Sequence, residues 1–187
     1  MVTVIYTLRE EHRNIARLLN ALEHQIDIFA RAGAPDYDVI RGIAEYFLDY
    51  PDRCHHPKED VVFDCLCARF PRDAAEVGDL ATEHRKTAES ARRFRDTVYA
   101  LLNNAEIARE TVVNAARGFI EAERRHMAME EERFFPLAEA RLTPEDWFRI
   151  ESDLVTGRDP LFGDRVEAEF EGLRKRLLAW EEESRTI

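Results

Sequence analysis

The sequence has few of the residues that interrupt a chain. Among 187 residues there are seven glycines and seven prolines, too few for the many turns of an all-β fold. Cysteine is scarce too. Cys54, Cys65 and Cys67 are odd in number and form no C-x-x-C pair, so no disulfide framework is expected, and a reducing cytoplasm is the simplest setting. No run of about 18 apolar residues exists, which excludes a membrane-spanning helix. Arg9, Glu10, Glu11 and Arg13 come before any long apolar run, so no secretory leader is expected. Cations are in deficit: 27 Lys and Arg face 38 Asp and Glu, a formal net charge of −11. A nucleic-acid binder needs surplus cations to displace phosphate counterions, so that partner is excluded, and an anionic membrane surface is disfavoured for the same reason.

What is present is helical. Hydrophobic residues make up 45% and charged residues 35%, a globular balance, and the length suits one domain with or without an appendage. Leu8, His12, Ile15, Leu19, Leu22 and Ile26 recur at threes and fours and predict a helix over 3–31, ended by Gly33-Ala34-Pro35. Val39, Ile43, Phe47 and Tyr50 predict a second helix, with a kink or break at Pro51 and a continuation in which Pro57 sits in the first turn. Val77 to Val98 predicts a third helix over 73–103, and Val112 to Phe134 a fourth over 106–135, interrupted at Pro136. Thr143-Pro144-Glu145-Asp146 is a helix start, with a short helix to about 156. Asp159-Pro160-Leu161-Phe162-Gly163 reads as a turn, and Val166, Phe170, Leu173, Leu177 and Trp180 predict a last helix over 164–184. No strand pattern competes. Four long helices joined by short loops predict an all-α antiparallel four-helix bundle over 1–140, with a C-terminal helical extension over 141–187 packed on it. The stripe of the last helix either closes over the bundle or offers a homodimer face.

The histidines repeat. Glu11-His12-Arg13 on the first helix returns as Glu83-His84-Arg85 on the third. At nearly equal intervals afterwards come His55 with Glu59, and His126 with Glu130, each pair four apart. Residues four apart share a helix face one turn apart, so each pair offers one imidazole and one carboxylate to the same point. His12 and His84 lie in line with apolar residues and face the bundle axis. The four helices therefore bring four imidazoles and two carboxylates to one interior spot, where bundles build two-metal sites. One such histidine alone reads as a satisfied core residue. The whole set buried without a metal would leave carboxylates and ring nitrogens short of partners, which is costly. His56 and Asp60 also stand four apart. Phe63 and Phe134, each eight after its histidine, favour His55 and Glu59 as the inward pair, with His56 a neighbour pointing elsewhere or a supporting group. His24 reads as a surface residue.

Glu11-His12, His55-His56-Pro57-Lys58-Glu59-Asp60, Glu83-His84 and His126-Met127-Ala128-Met129-Glu130-Glu131, closed by Phe134-Phe135-Pro136, resemble the hemerythrin-like, or HHE cation-binding, domain over residues 3–140. The resemblance implies a four-helix bundle holding two iron ions, oxo- or hydroxo-bridged and bridged by the glutamates. It makes His12, His55, Glu59, His84, His126 and Glu130 the ligands. Trp147 and the Asp-Pro-Leu-Phe-Gly turn look like the extension of some bacterial members. Oxygen-carrying hemerythrins have a further histidine one turn after the one on the third helix; here that position is Ala88. The shortfall leaves about two positions for water, a small ligand or another carboxylate such as Glu123, and favours a reactive site over simple oxygen carriage.

Three uses follow. One is a binder or sensor of oxygen or nitric oxide. Another is an oxidoreductase acting on peroxide or nitric oxide, or an iron donor for cluster repair. Cluster-repair relatives carry an extra N-terminal cysteine-bearing domain that this chain is not expected to have. The third is a structural zinc site.

Overall fold

The computed structural model describes residues 3–103, 105–154, 157 and 159–184. Among them there is no strand. The first helix, α1 (Thr3–Ala30), buries Leu8, His12, Ile15, Leu19, Leu22 and Ile26 on one stripe. Ala32 takes a positive φ of 60° after it, and Asp36 caps the next helix by accepting from the backbone N–H of Asp38 and Val39. The second arm is α2 (Tyr37–Tyr50), a π-turn over Pro51–His55, and α3 (His56–Arg69). The third arm is α5 (Leu80–Leu102), preceded by the short α4 (Pro71–Val77). The fourth is α6 (Arg109–Met129), a π-turn over Glu130–Phe134, and α7 (Phe135–Arg141). Each arm packs on its neighbours in chain order, and the fourth returns to α1. This is an antiparallel four-helix bundle.

Three expected boundaries differ. The third helix does not run unbroken from residue 73. Gly78 takes a φ of 101°, and Asp79 restarts the helix by accepting from the N–H of Thr82. The apolar spacing carries through this break, so the period alone did not show it. The fourth arm does not stop at Pro136. That proline and Pro57 both stand in the first turn of an α-helix that follows a π-turn. Proline cannot donate to the carbonyl four residues back and crowds it, and the wider turn relieves the clash. The last helix, α9, covers only Glu171–Ser184. The helix started by Thr143 is α8 (Pro144–Asp153), with a full capping box between Thr143 and Asp146; the expected end near 156 lies outside the described residues.

The core is split into two clusters by a polar layer. One contains Ile15, Leu22, Tyr46, Phe47, Phe94 and Phe119; the other contains Leu8, Val62, Leu66, Leu80, Phe134 and Phe135. Leu161, Phe170, Leu173 and Leu177 belong to the first cluster, so the stripe of α9 is buried against α2 and α1. Gly42 lets this happen, since a Cβ there would press on Leu173 at 3.3 Å. Asp159 accepts from the Tyr46 hydroxyl at 3.0 Å and from the N–H of Leu161 and Phe162, pinning the turn to the bundle. Leu161 is fully buried. Leu161→Ala is therefore expected to cost about 3 kcal/mol through lost burial and a cavity. That corresponds to a fall in melting temperature of roughly 6–12 °C for a chain of this size. A calorimetric shift below about 2 °C would show that the turn does not seal the core.

Candidate metal centre

The polar layer is made of the repeated residues. His12 lies on α1 between Leu8 of one cluster and Ile15 of the other, and His84 lies on α5 between Leu80 and Ala91. Glu59 and Glu130 are completely buried. Around Glu59 stand His12 Nε2 at 3.5 Å, His55 Nε2 at 3.3 Å and His84 Nε2 at 3.3 Å. Around Glu130 stand His12 Nε2 at 3.3 Å, His84 Nε2 at 3.5 Å and His126 Nε2 at 3.2 Å. The oxygens divide by side. Glu59 turns Oε1 to His12 and His55 and Oε2 to His84. Glu130 turns Oε2 to His12 and Oε1 to His84 and His126.

His56 belongs to this layer. It does not point elsewhere: it is buried, and its ring stacks on His84 at 4.1 Å, 10° from parallel. The π-turn explains the difference. Its extra residue rotates the helix by about 100° between Tyr50 and His56, so two adjacent histidines both reach the interior. In the fourth arm the π-turn comes after the histidine, so the phase comparison of Phe63 with Phe134 does not carry across. Phe134 is fully buried while Phe63 is only partly so. Two groups of ligand atoms result, each within 4.8 Å: His12, His55 and Glu59, and His56, Glu59, His84 and His126. Ala88 and His56 line one cavity, so the fifth imidazole comes from the second arm into space that a small residue on α5 leaves free.

Nδ1 nitrogens face outward to acids. Glu131 accepts from His12 at 3.0 Å, Glu11 from His55 at 2.9 Å and Asp52 from His56 at 3.1 Å. Asp60 stands 3.0 Å from His84 Nδ1 off the line of a hydrogen bond, and is half exposed; it supports His84 from outside the layer. Such partners fix the ring and leave Nε2 inward as a metal donor. Lys58 pairs with the other oxygen of Glu11. The sequence reading missed Glu11, Asp52 and Glu131. Asp52 was open to it, four before His56; the other two act across helices.

Burial disfavours the charged form of His12, yet Glu130, Glu131 and Glu59 outweigh it and push its pKa up to about 11. Against the same cost, Asp60, Glu130 and Glu59 push His84 up to about 11, and Glu59 with Glu11 pushes His55 up to about 9. His126 has no acid on Nδ1, and burial pushes it down to about 4. Burial, then Glu130, pushes the Glu123 carboxyl up to about 8. Glu123 is buried one turn before His126 and, like the expected ligand Glu130, stands in neither ligand group; Glu130 joins the layer through its contacts with His12, His84 and His126. Cys54 faces Gly157, which has no room for a Cβ, and packs in the first core cluster. His24 is exposed, with its ring 5.7 Å from Trp180.

Both oxygens of Glu59 and of Glu130, and Nε2 of His12, His84 and His126, are buried without a hydrogen bond. Orphaned acceptors facing orphaned imidazoles fit a metal cation, which satisfies both. A family model described as Hemerythrin HHE cation binding domain matches residues 3–138. The chain belongs to this family. No curated protein and no solved structure matches it significantly. Membership in the hemerythrin HHE family and the buried cluster together make this a cation-binding domain. Among the described residues no helix is long and apolar enough to cross a membrane.

Proposed function

We propose that this hemerythrin-like chain holds a non-haem di-iron centre and binds or senses oxygen or nitric oxide, in a cytoplasmic setting. The ligands in this reading are His12, His55, His56, Glu59, His84, His126 and Glu130. The observation that carries it is the division of the carboxylate oxygens: each glutamate presents one oxygen to the His12 side and the other to the His84 side. A carboxylate so placed serves two cations at once, whereas a closed tetrahedral zinc site needs only four donors in all. Imidazole with carboxylate suits iron, which when bound would supply redox chemistry and affinity for small ligands.

The protein's own part is to make the two sides unequal. Three imidazoles stand on the His84 side and two on the His12 side. Room for an exogenous ligand therefore lies by His12 and His55. Phe135 stacks on His12 at 5.3 Å, and Tyr50 lies over His55 at 6.5 Å, so apolar rings exclude water there. The fifth imidazole also reduces the shortfall that Ala88 implied, which favours binding over turnover. A second reading, oxidation or reduction of peroxide or nitric oxide, is supported by Glu123, whose buried carboxyl holds a proton near the layer. Mixing reduced, iron-loaded protein with oxygen separates them. Binding gives a species that releases oxygen under vacuum, and nitric oxide binds the same form. Irreversible oxidation within minutes would favour the oxidoreductase.

A further inference from the structure

A cleft of about 860 Å³ runs between α5 and α6 from the surface to His126. Its α6 wall includes Gly118, Ala122 and His126, spaced one turn apart, beside Phe119 and Met129, and its α5 wall includes Thr87 and Ser90. His126 is only 6% exposed, and neither of its ring nitrogens makes a hydrogen bond. Phe135 covers His12, Tyr50 covers His55, and the backbone at Gly157 lies against Cys54. A smaller cavity of about 370 Å³ touches His56 and His84 and is lined by Ala88 and Arg92.

We propose that the α5–α6 cleft is the path by which small neutral or anionic molecules reach the metal layer, left open because Ala122 carries only a methyl group and Gly118 no side chain. The path enters at His126 on the three-imidazole side and, under the di-iron reading on which its biological use rests, serves the ligand room by His12 and His55 from across Glu130, which faces both His126 and His12. A larger residue on this wall obstructs passage without replacing a ligand. Passage is slowed equally in both directions, so rates fall while affinity stays. This signature separates a blocked path from a damaged site, which changes affinity.

Two measurements test the path. The first needs no metal. Diethyl pyrocarbonate acylates accessible neutral imidazoles, and mass spectrometry of the metal-free protein follows His126. Ala122→Phe should slow acylation of His126 at least about tenfold, while Ala81→Phe, at an exposed position lining the smaller cavity, should not. Gly118→Phe is the second blocking variant; a Cβ there meets no atom within 4 Å, and its melting curve checks that the fold is kept. The second measurement uses iron-loaded protein and azide in a stopped flow. Both blocking variants should lower the association and dissociation rates together, with Kd and iron content unchanged. Unaltered His126 acylation in the blocking variants, or equal slowing by Ala81→Phe, would overturn the path. Loss of iron binding with the acylation pattern intact would overturn the di-iron reading and leave the path standing.

Discussion

Glu59→Ala is expected to remove both metals of the proposed di-iron centre, not one. The carboxylate touches His12 and His55 through one oxygen and His84 through the other, so neither side is complete without it. His56→Ala should act differently. It takes one imidazole from the three-imidazole side and leaves His12, His55 and both glutamates in place. Metal analysis of the two variants should give close to zero and about one metal per chain respectively. Loss of a single metal from Glu59→Ala would show that the carboxylate serves one side only. Full loading of His56→Ala would show that its ring supports His84 without ligating.

Stripping the metal is expected to cost more stability than any single substitution in the core. A ligand that binds only the folded state stabilises by mass action, about 4 kcal/mol at a thousand times its Kd, so the two sites of the proposed centre would supply roughly 8 kcal/mol. For a chain of this size that is a fall of roughly 15–30 °C in melting temperature. The metal-free protein should remain folded near neutral pH, because protons take the cations' place. His12 and His84, raised to about 11, and His55, raised to about 9, are charged there beside Glu59 and Glu130. The sign follows from linkage. A raised histidine contributes fully below its unfolded value of 6.5 and loses that contribution as pH climbs to its folded value. The melting temperature of metal-free protein should therefore fall between pH 7 and 10, while loaded protein, which has already released those protons, should change little over the same range (about 3 pH units). Equal pH profiles for the two forms would contradict this.

The reach of the sequence is uneven for a physical reason. The bundle is legible because its arms obey one period, and Leu8, His12, Ile15 and Leu19 follow it without exception. The repeat drew attention to His12, His55, Glu59, His84, His126 and Glu130, which the structure brings into one layer. His56 escaped because a π-turn adds a residue and so changes which side chains face inward. Its only local traces are the prolines just after, Pro57 and Pro136, which a simple helical period treats as interruptions. The internal repeat also misleads where it is most literal. Glu11 supports His55 from across the bundle, whereas its counterpart Glu83 pairs with Lys86 on the surface. Adjacent residues on one helix can serve different partners, and only the packing of the arms decides which.

The proposed centre stands or falls on the metals of the protein as it is made in the cell. Quantifying iron and zinc in rapidly purified native protein, alongside its absorption spectrum, tests this most directly. The expected result is about two irons per chain, with charge-transfer absorption in the near ultraviolet that disappears on chelation. Stoichiometric zinc, with no iron taken up on anaerobic reconstitution, would contradict it.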